Sequence, residues 1–328
     1  MIKAKRNTGL NTAPKTINTC IDSNGSALPA RIRSDFRRNS GKYLLVLPVI
    51  IWYIIFQYVP MYGVIIAFQS YEPSLGIFAS AWVGLKHFTD FFRDVYFFRL
   101  MRNTLTISFL SILLGFPAPI VLALMINEVR SKYFARTVQT LTYLPHFISL
   151  VVVCSMIKCF LGTNGIITHY IYQLTGNEMS LLTRPAAFPW IYVLSTIWQE
   201  AGWGSIIYLS ALSTIDTQLY EACEIDGGGR IRQTLTITLP GIAPTVIIML
   251  IMRMGSILSV GYEKVILLYN PSIYETADVI LSYVYRKGLQ ESDFSYSTAV
   301  NLFNSLVSVI FVLAANLISK KVTETSLW

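Results

Sequence analysis

Charged side chains are scarce in this sequence. Lys, Arg, Asp and Glu together make up 13% of its 328 residues, about half the share of a soluble globular domain. That excludes an ordinary water-exposed surface over most of the chain. Histidine is scarce too: His87, His146 and His169 stand without ligand spacing, which argues against a metal site. The four cysteines, Cys20, Cys154, Cys159 and Cys223, form no pair with zinc or redox spacing, so they read as buried or inert thiols. No G-x-x-x-x-G-K-[ST] loop occurs, the one Gly-Lys pair being Gly41-Lys42 followed by Tyr43, so the chain has no evident phosphate loop for ATP. The absence of a visible internal repeat weighs weakly against an inverted-repeat transporter. No catalytic residue, metal ligand or cofactor is assigned to this chain.

Apolar residues fill the space that charge leaves. They make up 53% of the chain, and the mean hydropathy is +0.52. Windows free of Asp, Glu, Lys and Arg run from Tyr43 to Tyr71, Asn103 to Asn127, Thr137 to Ile157 and Phe294 to Ser319. Each reaches the roughly 20 residues that a helix needs to cross a bilayer core. Phe188 to Leu212 and Leu239 to Val260 are as hydrophobic but carry one charge apiece, Glu200 and Arg253. The expectation is an all-α integral membrane protein with six transmembrane helices.

Lys and Arg collect on the cytoplasmic flanks of spanning helices. With the N-terminus inside, sixteen fall on inside segments and eight on outside ones, leaving Lys158 and Arg253 within spans. Arg37, Arg38, Lys42, Lys320 and Lys321, close to helix ends, all agree. Both termini are therefore expected in the cytoplasm, and the net charge of +8 needs no nucleic acid to explain it. Residues 1–41, rich in Asn, Ser, Thr and Arg, read as a disordered cytoplasmic tail. The first apolar run begins too late for a signal peptide. Residues 42–322 form the spanning domain, and 323–328 a short cytoplasmic end.

One polar segment breaks the apolar pattern between the fourth and fifth spans: EACEIDGGGRIRQTLTITLP, from Glu221 to Pro240. Thr214 to Asp226 suits a short helix, with Asp216 near its start to meet the free amides. Leu219, Ala222 and Cys223 share one face, with Glu221 and Glu224 beside or opposite them. Gly227, Gly228 and Gly229 stop the helix, and Arg230 to Thr238 restarts as a second one that turns into the membrane at Pro240. Taken alone, the glycines are a flexible turn and the acids a solvated face. Asp226 and Glu224 would repel an anion, so the glycines are no phosphate cradle.

At these residues the chain resembles the membrane subunits of binding-protein-dependent ABC importers. Their cytoplasmic signature is E-A-A, three residues, Gly, nine residues, I-x-L-P, and Glu221, Ala222, Cys223, Gly227, Ile237, Leu239 and Pro240 occupy those places in register. Cys223 is the one departure, standing where a second alanine is usual. The resemblance implies a type I importer permease fold, MetI-like, with the loop 214–240 as a coupling helix docked on an ATP-hydrolysing subunit. The runs TLTISFLSILLGFPAPIVLALMINE, YLPHFIS and IWQEAGWGSIIYLSAL are similar to those of sugar-importer permeases, in the subgroup for oligo- and polysaccharides. Acidic chains such as alginate are among the candidates. The partners so implied are a second, related permease, two ATPase subunits carrying ATP and Mg, and an extracytoplasmic solute-binding protein, in the inner membrane of a bacterium. Outside segments from Glu72 to Arg102, Gly162 to Arg184 and Glu263 to Asp293 are long enough to receive that protein.

Sugars are held by aromatic faces and by polar groups that share hydroxyl hydrogen bonds. Trp198, Glu200 and Trp203 in the fourth span, Arg253 in the fifth, and Gln57 and Asn103 are the pathway candidates. A carboxylate deep in a span is expensive and faces protein or water. Arg253 is the evident partner of Glu200: the two either pair structurally or line the path, where an Arg suits a sugar carboxylate. Pro48, Pro60, Pro117 and Pro119 read as helix bends. Two other classes fit the same composition, an ion-driven sugar transporter and a membrane docking or sensor protein.

Overall fold

The computed structural model of the protein describes residues 38–176 and 180–323. The tail assigned to 1–41 and the end assigned to 323–328 lie outside these residues apart from their innermost positions. The chain divides into two compact units, Met1–Tyr62 and Gly63–Trp328.

The described part of the first unit is one apolar helix, α1 (Ser40–Tyr53), continued by a π-turn at Ile54–Tyr58 and a last turn at Val59–Met61. No side chain on α1 is buried. A helix that is apolar all round has no single stripe to bury, so its stability depends on lipid or a neighbour on several sides. Gln57 lies in the π-turn and is exposed.

The second unit opens with a two-strand ribbon, β1 (Gln69–Ser70) antiparallel to β2 (Ala81–Trp82). Helices follow in order: α2 (Lys86–Arg93), α3 (Phe97–Leu110), α4 (Pro117–Asn127), α5 (Lys132–Tyr143), α6 (Leu150–Leu161), α7 (Ile166–Thr175) and α8 (Phe188–Leu212). After them come α9 (Thr217–Ile225), α10 (Arg230–Gln233), α11 (Leu239–Gly255), α12 (Tyr262–Leu268), α13 (Ile280–Tyr285) and α14 (Phe294–Thr323).

Among the described residues, five stretches are long and apolar enough to cross a membrane: Ser40–Phe68, Phe97–Asn127, Leu150–Leu174, Arg230–Gly255 and Phe294–Lys321. The sixth expected span, α8, is an unbroken helix of 25 residues, about 37 Å long at 1.5 Å per residue. Its three Trp, with Gln199 and Glu200, make it less apolar than the others.

The expected span Thr137–Ile157 is not one helix. Helix α5 ends at Tyr143, a 3₁₀ turn at Leu144–Phe147 carries Pro145, and Ile148 is extended. Ser149 then caps α6, its hydroxyl accepting from the Val152 amide. A charge-free window shows solubility in lipid and says nothing of a break inside it. Here proline, which cannot donate to the helix ladder, makes one.

Of the four π-turns among the described residues, three, Ile54–Tyr58, Ser111–Gly115 and Thr234–Thr238, each end two residues before a proline: Pro60, Pro117 and Pro240; the fourth, Arg286–Gln290, has none. Proline removes one helical hydrogen bond and crowds the carbonyl a turn earlier, and a one-residue widening relieves both. Pro240 therefore does not end the second coupling-loop helix, as the sequence reading expected. The helix runs through it from Arg230 to Gly255.

Three apolar clusters hold the second unit. One packs Phe188, Tyr192 and Val193 of α8 against Val265 and Leu268 of α12. A second joins Phe91, Leu100, Tyr283, Tyr296 and Val300. The third gathers Ala123, Tyr208, Leu212 and Ile242 where α8 packs against α4 and α11. Gly202 sits where the Thr142 carbonyl comes so near that a Cβ would stand 1.9 Å from its oxygen, which sets the α5–α8 contact.

Beside the second cluster, Asp278 is 0% exposed. Its carboxylate accepts from Arg99 at 3.1 Å, Arg286 at 2.7 Å and the Ser282 hydroxyl at 2.9 Å. Asn103 Nδ2 donates to the carbonyls of Glu275 and Asp278, at 2.8 and 3.0 Å.

Candidate functional site

The signature loop is a helix, a tight turn and a helix. Asp216 caps α9, its Oδ1 accepting from the Gln218 amide at 2.9 Å. At the other end Gly227 takes φ +76°, the left-handed region where a side chain costs about 1–2 kcal/mol. The Gly228 amide donates to Cys223 O at 2.8 Å and the Gly227 amide to Glu224 O at 3.0 Å, the paired bonds of a Schellman cap. A Cβ on Gly228 would lie 2.4 Å from the Cys223 sulfur. Cys223 and Tyr220 are thus the inward, half-buried residues of α9, while Leu219, Glu221 and Ala222 are exposed.

Ile225 is 86% exposed and Ile231 78%, so apolar side chains stand out from a polar loop on both sides of its turn. The loop is tied to the shaft of α11. The Tyr220 hydroxyl and Thr238 Oγ1 are 3.1 Å apart, Gln233 Nε2 donates to Tyr220 O at 3.5 Å, and Leu239 packs on the third cluster. Ile237 is half-buried and Pro240 exposed. Arg230 lies 3.9 Å from Glu128 at the end of α4. The loop is thus joined to α11 through Tyr220 and Leu239, and its second helix comes within ion-pair reach of the end of α4.

A cavity of about 460 Å³ opens between α4, α8 and α11, lined by Ser111, Pro119, Thr196, Glu200, Trp203 and Arg253 among others. A second, of about 250 Å³, shares Ser111, Thr196, Arg253 and Ser256 with it. Three of the sequence-predicted pathway residues, Glu200, Trp203 and Arg253, are thus brought to one cavity, which Pro119 also lines. The other three are not. Trp198 is exposed off the cavity, Asn103 is 3% exposed and braces the backbone, and Gln57 belongs to the first unit.

The expected Glu200–Arg253 ion pair does not form. Glu200 Oε2 instead meets His146 Nδ1 at 2.9 Å, and the His146 ring stacks on Trp203 with 4.5 Å between centroids and 4° between planes. Arg253 has no ion-pair partner among the described residues. His146 is the residue that sequence reasoning missed. The break at Pro145 swings it across to α8, and the one available signal was its place in YLPHFIS. The cavity thus combines an aromatic face, a carboxylate with one oxygen engaged, an unpaired guanidinium and several hydroxyls, a set that grips sugar hydroxyls and carboxylates alike.

The family of binding-protein-dependent transport system inner membrane components matches residues 115–324. The polygalacturonan/rhamnogalacturonan transport system permease protein YteP of Bacillus subtilis (strain 168) is 45% identical over 287 residues, 87% of this chain and 89% of that one. Protein LplB of the same organism is 44% identical over 293 residues, covering 89% and 92%. Among solved structures, a chain of a bacterial ABC transporter involved in the import of the acidic polysaccharide alginate superposes with a TM-score of 0.83 at 44% identity, covering 89% of this chain and 99% of its own. A chain of a bacterial alginate ABC transporter in complex with an alginate pentasaccharide-bound periplasmic protein superposes with a TM-score of 0.83 at 44% identity, covering 90% of this chain and 100% of its own. The all-α membrane permease fold expected from the sequence is the fold observed, and the chain belongs to the family of binding-protein-dependent transport system inner membrane components.

Proposed function

We propose that this chain is one permease subunit of an ATP-driven importer for oligo- or polysaccharide, with uronate-containing chains as its substrate class. It lies in the bacterial inner membrane with both termini in the cytoplasm. The observation that carries the reading is α9: a capped helix with an exposed apolar face, fastened to two spanning helices, bearing the importer signature at Glu221, Ala222, Cys223, Gly227, Ile237, Leu239 and Pro240. The acidic sugars named for the similar proteins, together with the unpaired Arg253 in the cavity, support the substrate class.

A second, related permease supplies the other half of the path. Two ATPase subunits hold ATP and Mg and receive the coupling helices, and a soluble binding protein delivers sugar from outside. ATP binding draws the coupling helices together and opens the cavity outward; hydrolysis resets it. No bond of the sugar changes in this chain.

The test is uptake of a labelled uronate tetrasaccharide into proteoliposomes holding the assembled complex. Uptake that needs ATP and the binding protein supports the reading. Uptake driven by an ion gradient without ATPase subunits assigns the chain to secondary transport, and no uptake at all leaves it a docking protein. A cysteine placed near Lys132, after replacement of Cys20, Cys159 and Cys223, should be labelled only from the cytoplasm.

A further inference from the structure

Lys264 is buried where no carboxylate answers it. It lies on α12, between Val265 and the turn at Gly261, with 4% of its surface exposed. An ammonium has three donors to place. One goes to Thr196 Oγ1 at 2.9 Å, and the nitrogen stands 5.4 Å from the centre of the Tyr192 ring. Thr196 passes the polarity on, donating to Tyr192 O at 2.7 Å.

Among the described residues no Asp or Glu lies within ion-pair distance of Lys264. The titratable groups that act on it are the Cys154 thiol on α6 and, electrostatically, Glu200 on α8, and Glu200 is itself bonded to His146. Tyr192 contributes only its ring face and a hydroxyl engaged by the Gly261 amide at 2.9 Å.

A buried charge without an ionic partner is expensive, so a Lys held there calls for a reason beyond packing. Thr196, the group that Lys264 holds, lines both cavities. The ammonium is therefore one side chain behind the cavity wall, at cavities that Arg253 also lines. Low-dielectric surroundings extend the reach of such a charge and leave it poorly screened by salt. Glu200, the carboxylate already in the cavity, is engaged by His146, and a sugar carboxylate entering the cavity is a further counter-charge for Lys264 and Arg253.

We propose that Lys264 is a specificity-determining residue for anionic sugars, setting with Arg253 a positive field in the cavity that favours uronate over neutral chains. The inference rests on the importer reading above. Its test uses the assembled complex in proteoliposomes with a uronate tetrasaccharide and its carboxyl-reduced, neutral counterpart. Lys264→Met should lower the preference for the uronate, as the ratio of kcat/KM values, about tenfold, whereas Lys264→Arg should keep it. Lys264→Gln, which retains a donor for Thr196, separates charge from bracing: if Gln behaves like Met the charge is what matters, and if Gln behaves like Lys the proposal fails. An unchanged preference in assembled Lys264→Met likewise overturns it. Absence of ATP-driven uptake of either sugar by the wild type would instead overturn the importer reading itself.

Discussion

His146 lies flat on Trp203, 4.5 Å between ring centroids and 4° between planes, and this one contact decides how the cavity wall is presented. The imidazole covers one face of the indole while its Nδ1 holds Glu200 Oε2 at 2.9 Å. Two side chains that face the cavity from α8 are thus fixed by a third that arrives from the broken segment before α6.

His146→Ala removes the stack and the hydrogen bond together. An aromatic pair contributes about 0.5–1.5 kcal/mol beyond its buried area, and the bond to a half-exposed Glu200 adds less than a buried one would. We expect KM for sugar uptake to rise about threefold to tenfold, with a change in Trp fluorescence as the indole loses its cover. His146→Gln, which keeps a donor for Glu200, should recover part of the affinity. Unaltered fluorescence and KM in His146→Ala would show that the stack does not position Trp203.

Gly227→Ala places a side chain at φ +76°, at a cost of about 1–2 kcal/mol, and Gly227→Pro cannot adopt that angle at all. Both should leave the spanning helices in place and disturb only the end of α9. The expected result is an assembled complex whose ATP hydrolysis no longer responds to binding protein and sugar, the proline variant being the more severe. Normal stimulated hydrolysis in both would remove the coupling role from this turn.

The difference between these two sites explains what could be read from the letters. The Schellman turn is local: glycine conformational freedom, an N-capping Asp and a fixed signature spacing all act within a few residues, so both helices and the turn were legible. The His146–Glu200 pair joins residues 54 apart in sequence, and the Arg99–Asp278 bond residues 179 apart. Periodicity says nothing about such contacts. It placed Glu200 and Arg253 at similar depth and offered each the other as partner, whereas the break at Pro145 brought a histidine in first. Hydropathy located five of the spans closely, but it could not see inside the charge-free window at Thr137–Ile157, because Pro145 and the extended Ile148 are as apolar as a helix would be.

Asp278 is fully buried and serves two guanidinium groups and a hydroxyl. Removing it leaves Arg99 and Arg286 facing each other with no counter-charge between them. Loss of one partner from a buried ion pair costs about 3–5 kcal/mol, so Asp278→Ala should reduce the thermal stability of the purified subunit severely. Replacing Arg99 alone should cost less, because Arg286 retains the shorter bond, 2.7 Å against 3.1 Å. Equal losses from Arg99→Ala and Asp278→Ala would mean that the carboxylate is not the centre of this cluster.

Asp94 sets a pH limit on the same region. Burial by itself raises its carboxyl, but hydrogen bonds from the Tyr283 hydroxyl, the Tyr96 amide and the Tyr296 hydroxyl outweigh that and hold it below the ordinary carboxylate range. The two phenols donate at 2.5 and 2.8 Å and tie the loop before α3 to α13 and α14. A carboxyl whose folded pKa is depressed contributes stability that is complete above its unfolded value, about 3.9. That stability is lost as pH falls through the lower folded value, where the proton ends the charge that the phenols serve. The wild type should therefore lose thermal stability steeply below about pH 4. Asp94→Asn, which keeps an acceptor but has no charge to lose, should start less stable at pH 7 and show a flatter decline on acidification. Thermal unfolding of both proteins in detergent across that range measures the difference, and parallel curves would show that Asp94 contributes no proton-linked stability.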